Sequence, residues 1–199
     1  MIVHIAPYEA SYQAIEERLK EMGKSSEVKS VIQKAINETA KETKERLYKE
    51  TRSDYTIKAS NFKKSDVKKT SATKSRLEAT IQVTGRMLGV KAYKTRKNGK
   101  RKGAQAKVLA SSAMKELTLE SGGKTYKAFN ARMRSGHEGI FRRIPGRRNK
   151  KGKEKIGEIM SIAKAQAAGK TYERHEMYAE LQEEVGYQLL KHMNAVIGG

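Results

Sequence analysis

The 199-residue sequence has no cysteine and no tryptophan, and only two prolines and three phenylalanines. Without cysteine there is no disulfide framework, no zinc–thiolate site and no thiol nucleophile, and the redox compartment leaves no mark. A hydrophobic fraction of 37% makes a thin apolar supply. One domain spanning 1–199 is the expectation at this length, with apolar surface left over for a partner to cover. No run approaches the ~18 apolar residues of a membrane span, and Met1 to Ala10 lacks a basic region followed by a long apolar stretch. The expectation is therefore a soluble chain with no membrane partner.

Acidic residues are scarce where basic ones are dense. Residues 1–50 carry nine Lys or Arg against nine Asp or Glu, and residues 156–199 carry four against six. Residues 51–155 hold 30 basic and seven acidic residues, a net charge of +23, more than the +21 of the whole chain. Such a field attracts polyanions by phosphate contact and counterion release, and nucleic acid is the common case.

The same scarcity excludes much chemistry. The acidic residues of the middle, Asp54, Asp66, Glu78, Glu116, Glu120, Glu138 and Glu154, are widely spaced and supply neither a carboxylate pair nor a metal-dependent nuclease pattern. His4, His137, His175 and His192 are scattered without an HExxH pair. His137, between Gly136 and Glu138, reads as a structural turn residue, since no nucleophile is fixed near it. Two GKT strings, at 123–125 and 169–171, lack the glycine a phosphate-binding loop needs five places earlier, where Thr118 and Lys164 stand. The expectation is a protein that is not an enzyme and uses no cofactor or metal.

Ile2 to Ile5 is a short β-prone run. Tyr12, Ile15, Leu19 and Met22 recur at three- and four-residue steps and predict an amphipathic helix ending near Gly23. Val28, Val31, Ile32, Ala35, Ile36, Ala40 and Leu47 make the stripe of a longer helix that Ser25 or Ser26 could cap. Ser60 opens a short predicted helix carrying Phe62 and Val67. Leu77, Ala79, Ile81 and Val83 then alternate with polar residues, the pattern of a half-buried strand.

Further strands are expected at 90–95, 106–110, 116–120 and 124–129, with Asn98-Gly99 and Gly122-Gly123 as turns. Ile156, Ile159, Met160 and Ile162 to Ala163 predict a short helix stopped near Gly169, and Thr171 a cap for the last helix, whose stripe runs through Leu181, Val185 and Leu189. The expected fold is α+β: an antiparallel sheet of about four strands packed by long N- and C-terminal helices. Mobile basic loops are expected at about 96–103 and 146–154.

The segments AINETAKETKERL (35–47), KAFNARMRSGHEGIFRR (127–143) and IGEIMSIAK (156–164) stand in order around an arginine- and lysine-rich stretch, before a closing amphipathic helix. In this order, over about residues 28–197, the chain resembles the minor tail protein Z family of long-tailed bacteriophages. The stretch from Phe129 to Arg143 is the most specific part of the likeness.

The resemblance implies a structural virion protein: a tail completion or terminator-like component at the head-proximal end of the tail, assembled in the bacterial host cytoplasm. It implies a homo-oligomeric ring near the genome's path, beside other tail and head–tail connector proteins; the charge adds the expectation that the basic segments face phage DNA, without sequence preference, or acidic surfaces of those neighbours. The residues expected to touch DNA or a neighbouring protein are Arg96, Lys97, Lys100, Arg101 and Lys102 at the hairpin tip, and Arg142, Arg143, Arg147, Arg148, Lys150 and Lys151 beyond the glycine turn. A free, sequence-independent nucleic-acid-binding protein is the alternative.

Overall fold

The computed structural model describes residues 1–96 and 103–198, and the chain is mixed α+β. Its elements begin with strand β1 (Ile2–Ile5), helices α1 (Glu9–Glu21) and α2 (Val28–Asp54), and strands β2 (Val67–Thr70), β3 (Ala79–Val83) and β4 (Met87–Gly89). Short strands follow: β5 (Lys94–Arg96), β6 (Gln105–Lys107), β7 (Lys115–Glu116), β8 (Thr118–Ser121), β9 (Lys124–Lys127) and β10 (Phe129–Arg132). The long strand β11 (Glu138–Arg148), then β12 (Glu154–Glu158) and β13 (Met160–Ala163), lead into helices α3 (Lys164–Arg174) and α4 (Met177–Ile197).

The chain gathers into two compact units. The first comprises Met1–Glu50, Lys63–Thr84 and Ala168–Gly199, and the second Thr51–Phe62 and Gly85–Ala167. In the first, β3 lies between β1 and β2 in an antiparallel sheet, with Ile5 opposite Ala79 and Val67 opposite Val83. Ala79, Ile81 and Val83 are fully buried, as the alternation predicts. Helices contribute Ile15 and Leu19, then Val31, Ile32 and Ile36, and finally Leu181, Val185 and Leu189 to the buried apolar set. The Asn37 side chain clamps residue 72 to α2: its amide donates to the Ala72 carbonyl (3.1 Å) and its oxygen accepts from the Ala72 N–H (2.8 Å).

The second unit is built from short strands around Val90, Ala104, Ala106, Ala128 and Ile140, with Leu117 and Ile159 packed against them. Tyr93, fully buried, donates its hydroxyl to the Ile162 carbonyl at 2.9 Å. A hairpin joins β8 to β9 through Gly122 and Gly123, both at positive φ (55° and 69°), where a side chain would be strained.

Several expectations need correction. Among the described residues the strands do not join into one sheet of about four. They form sheets of three strands (β1-β3-β2, β5-β6-β7, β10-β11-β12) and of two (β4-β13, β8-β9). Most are only two to five residues long, and each pairs with one or two neighbours, some in hairpins and others, β1 with β3 and β4 with β13, across long stretches of chain. Val67 starts strand β2 rather than lying on a helix with Phe62, and only a single 3₁₀ turn, Lys64–Asp66, precedes it.

Of the helix predicted from Ile156 to near Gly169, the part up to Ala163 is instead β12 and β13; helix begins only at Lys164, in α3, and runs past Gly169. A run that short fits either period, and the free edge of the long β11 decides it. Thr171 is buried inside α3 rather than at the start of α4, which begins after Glu176, whose φ of 46° makes the break. Gly146, Arg147 and Arg148 extend β11 rather than opening a loop. The tip residues Lys97, Asn98, Gly99, Lys100, Arg101 and Lys102 lie outside the described residues.

Candidate nucleic-acid interface

The second unit carries almost all of the charge excess. Of the 43 basic and 22 acidic residues in the chain, it holds 25 and six, and the first unit holds 18 and 16. The fold thus sorts a near-neutral body from one with a net charge of +19.

Among the described residues the densest part is the hairpin of β11 and β12. Between Arg142 and Lys155 it bears eight basic side chains and one acidic one, Glu154. At its base, Gly139, Ile140 and Phe141 are buried, which anchors the ribbon; from Gly146 to Lys153 every residue is exposed. Phe129 pairs with Phe141 across β10 and β11, so the motif KAFNARMRSGHEGIFRR forms a hairpin whose inner end is core and whose outer strand becomes the basic ribbon.

Register sets where the arginines point. Arg143 lies opposite Ile156 and Arg148 opposite Glu154, and side chains directly opposite in an antiparallel pair share a face. Ile156 and Glu154 are two apart on one strand, so they share a face, and Arg143 and Arg148 therefore do too. Those arginines are five positions apart, an odd step that would split them on a regular strand; the irregularity between Arg143 and Arg148 restores the match. It contains Pro145, which has no N–H to give, and Gly146 at φ 73°. Arg142, opposite Gly157, occupies the other face, and strand alternation next to Arg148 assigns Arg147 to it as well.

The far end is a tight turn. The Asn149 side-chain oxygen accepts from the N–H groups of Lys151 and Lys153, each at 3.0 Å, and the Gly152 N–H donates to the Asn149 carbonyl at 2.9 Å. Tyr126 on β9 donates its hydroxyl to Glu154 Oε1 (3.3 Å). Burial first, and then the Glu154 carboxylate, raise that phenol above its usual range. Among the described residues, none of Arg142, Arg143, Arg147, Arg148, Lys150 or Lys151 has a carboxylate ion-pair partner.

A second polar cluster sits beside the root of the ribbon. His137 Nε2 lies 2.9 Å from Glu158 Oε2, with its ring edge-on to Phe141 (centroids 6.1 Å apart, 86°). Lys91 pairs with Glu138, and Lys58 Nζ donates to the Lys91 carbonyl at 2.7 Å. Glycine makes the room: a Cβ on Gly139 would stand 2.7 Å from Glu158 Oε1 and 2.9 Å from the Phe141 ring. The cluster ties β11 to its neighbours by matched charges.

The expected contact residues therefore separate. Arg142, Arg143, Arg147, Arg148, Lys150 and Lys151 come together on one ribbon, whereas Arg96 ends β5 on another sheet, exposed and paired in register with Gln105. Lys97, Lys100, Arg101 and Lys102 are outside the described residues. Lys153 and Lys155 join the ribbon and are absent from the expected set; the turn string Asn149-Lys150-Lys151-Gly152 was the signal that the chain doubles back there.

No family model matches the chain. Neither a curated protein nor a solved structure matches it.

Proposed function

We propose that the chain is a structural protein of a bacteriophage or prophage tail, a tail completion or terminator-like component at the head-proximal end. In this reading it assembles as a homo-oligomeric ring in the host cytoplasm, beside other tail and head–tail connector proteins. Its basic unit faces the path of the genome. The reading includes no catalytic activity, cofactor or membrane; no helix among the described residues is long and apolar enough to cross one.

The observation that carries the reading is the concentration of 25 basic residues in one unit beside a near-neutral one. A ring around DNA needs one surface that meets phosphates without sequence preference and another that meets protein. The ordered segments resembling the minor tail protein Z family support the tail assignment. The exposed Tyr178, Tyr187 and Leu190 of α4 (58%, 63% and 55%) suit a contact with another subunit.

Sedimentation of the purified chain and electron microscopy with isolated tail tubes test this. A discrete oligomer, or a ring added to tube ends and persisting in moderate salt, is expected; a monomer that ignores tubes at every concentration overturns it. The charge of the second unit also favours a second reading, a free sequence-independent nucleic-acid-binding protein. That reading expects association only with nucleic acid, lost as salt rises.

A further inference from the structure

We propose that the ribbon from Arg142 to Lys155 enters a groove of duplex DNA, with phosphates of both strands held by its two faces. This deepens the polyanion contact above, on which it rests, by naming the form of nucleic acid and the way it is held.

The first argument is the placement of the cations. The register puts Arg143 and Arg148 on one face of the ribbon and Arg142 on the other, and alternation along the strand from Arg148 assigns Arg147 to the face of Arg142. A flat acidic surface, such as a neighbouring protein's, could take up only one of these pairs. A groove has a phosphate wall on each side and can take up both, and the DNA major groove, ~12 Å wide, admits a two-stranded β-ribbon.

The second argument is what the basic unit withholds. Binding to single strands rests on exposed aromatic rings on which bases stack. Tyr55, Phe62, Tyr93 and Phe141 of this unit are buried, and Tyr126 and Phe129 are half-buried. Among the described residues the exposed aromatics are Tyr8, Tyr178 and Tyr187, all in the near-neutral unit. The cations are therefore offered without a stacking platform. A double-stranded RNA is disfavoured by the same geometry, because its major groove is too deep and narrow to be entered.

The third argument concerns sequence preference. Asn149, the one side-chain amide at the ribbon's tip, spends its acceptor oxygen on the Lys151 and Lys153 N–H groups, so it cannot make the bidentate contact that reads adenine. Binding through the ribbon is carried by phosphates, as a passing genome requires.

The test is fluorescence anisotropy with the full-length chain. The probes are a labelled DNA duplex of about 20 base pairs, one of its strands alone, and the RNA duplex of the same sequence, titrated between ~50 and ~200 mM salt. Duplex DNA is expected to bind tightest. Arg143→Gln with Arg148→Gln, and separately Arg142→Gln with Arg147→Gln, should each reduce the slope of log affinity against log salt by about 2. The corresponding lysine pairs should retain it, which separates lost charge from lost fold.

If one glutamine pair is silent while the other abolishes binding, a single flat face makes the contact and the groove proposal is overturned. Single strands or RNA duplexes bound as tightly as DNA duplexes overturn it too. So does unchanged DNA binding in variants that no longer associate with one another, since the ribbon is then a protein contact. Assembly on tail tubes, measured with the same variants, reports separately on the tail reading, which survives loss of the duplex preference.

Discussion

Two glycines in this chain show how the same residue carries opposite consequences. Gly139 is buried, and a Cβ there would meet both the Glu158 carboxylate and the Phe141 ring. The carboxylate can swing aside, but Phe141 is only 6% exposed and cannot. Gly139→Ala is expected to cost about 1–3 kcal/mol of stability in urea denaturation, the range for overpacking a filled site. Gly186 lies inside α4 with nothing within 4 Å of the same added atom. Gly186→Ala should stabilise by about 0.5–1 kcal/mol, because it removes backbone freedom from the unfolded chain and adds helix propensity; a lower midpoint would show that this helix face is already in contact.

At the scale of elements, the ribbon and the seam between α2 and α4 each depend on a few polar side chains. Asn149→Ala removes two side-chain bonds from the ribbon's turn, and hydrogen exchange at the Lys151 and Lys153 amides should accelerate several-fold, for a loss of about 1 kcal/mol. Across the seam, Gln188 donates to Glu42 Oε1 at 3.5 Å and Lys191 to Glu38 Oε2 at 3.0 Å, and within α4 Gln188 also donates to Glu184 Oε1 at 2.8 Å. The Lys191 hydrogen bond, foremost, holds Glu38 below its usual range, so its contribution is present above the ordinary glutamate pKa and lost on acidification through the lowered one.

Glu42 behaves the other way. Burial, and then its hydrogen bond and charge contact with Glu184, raise its pKa, so ionising it as pH rises past that value costs stability. Glu42→Gln should therefore stabilise the chain at neutral pH by about 0.5 kcal/mol or less, given its exposure. The difference from the unaltered chain should close below about pH 4, where both forms are neutral at this position. Thermal melts across that range measure both signs.

For the molecule as a whole, self-repulsion in the second unit is the dominant electrostatic fact. With 25 basic against six acidic residues it should gain stability as salt screens like charges, and its thermal midpoint should rise between ~50 and ~500 mM salt. A midpoint that falls would mean that ion pairs such as Lys91–Glu138 outweigh the repulsion. The same charge makes DNA a stabilising ligand by mass action, so a duplex should raise the midpoint at low salt and lose that effect at high salt.

The helices α1 and α2, the alternating strand β3 and the Gly122-Gly123 hairpin were legible in the sequence because each is decided by neighbours a few residues away. A stripe at three- and four-residue steps, an alternation of Ala79, Ile81 and Val83, and a pair of glycines need no distant partner to declare themselves. The concentration of positive charge in the middle is likewise written in composition.

Tertiary structure decided the rest. Ile156 to Ala163 became strand because β11 and β4 present edges for it to pair with, and no local period reveals that. The division into a near-neutral and a basic unit depends on which distant segments share a core. The two-faced placement of Arg142, Arg143, Arg147 and Arg148 depends on a register that only the pairing with β12 sets. Local pattern specifies an element's type; long-range burial and strand pairing determine its partners and the direction of its charged side chains.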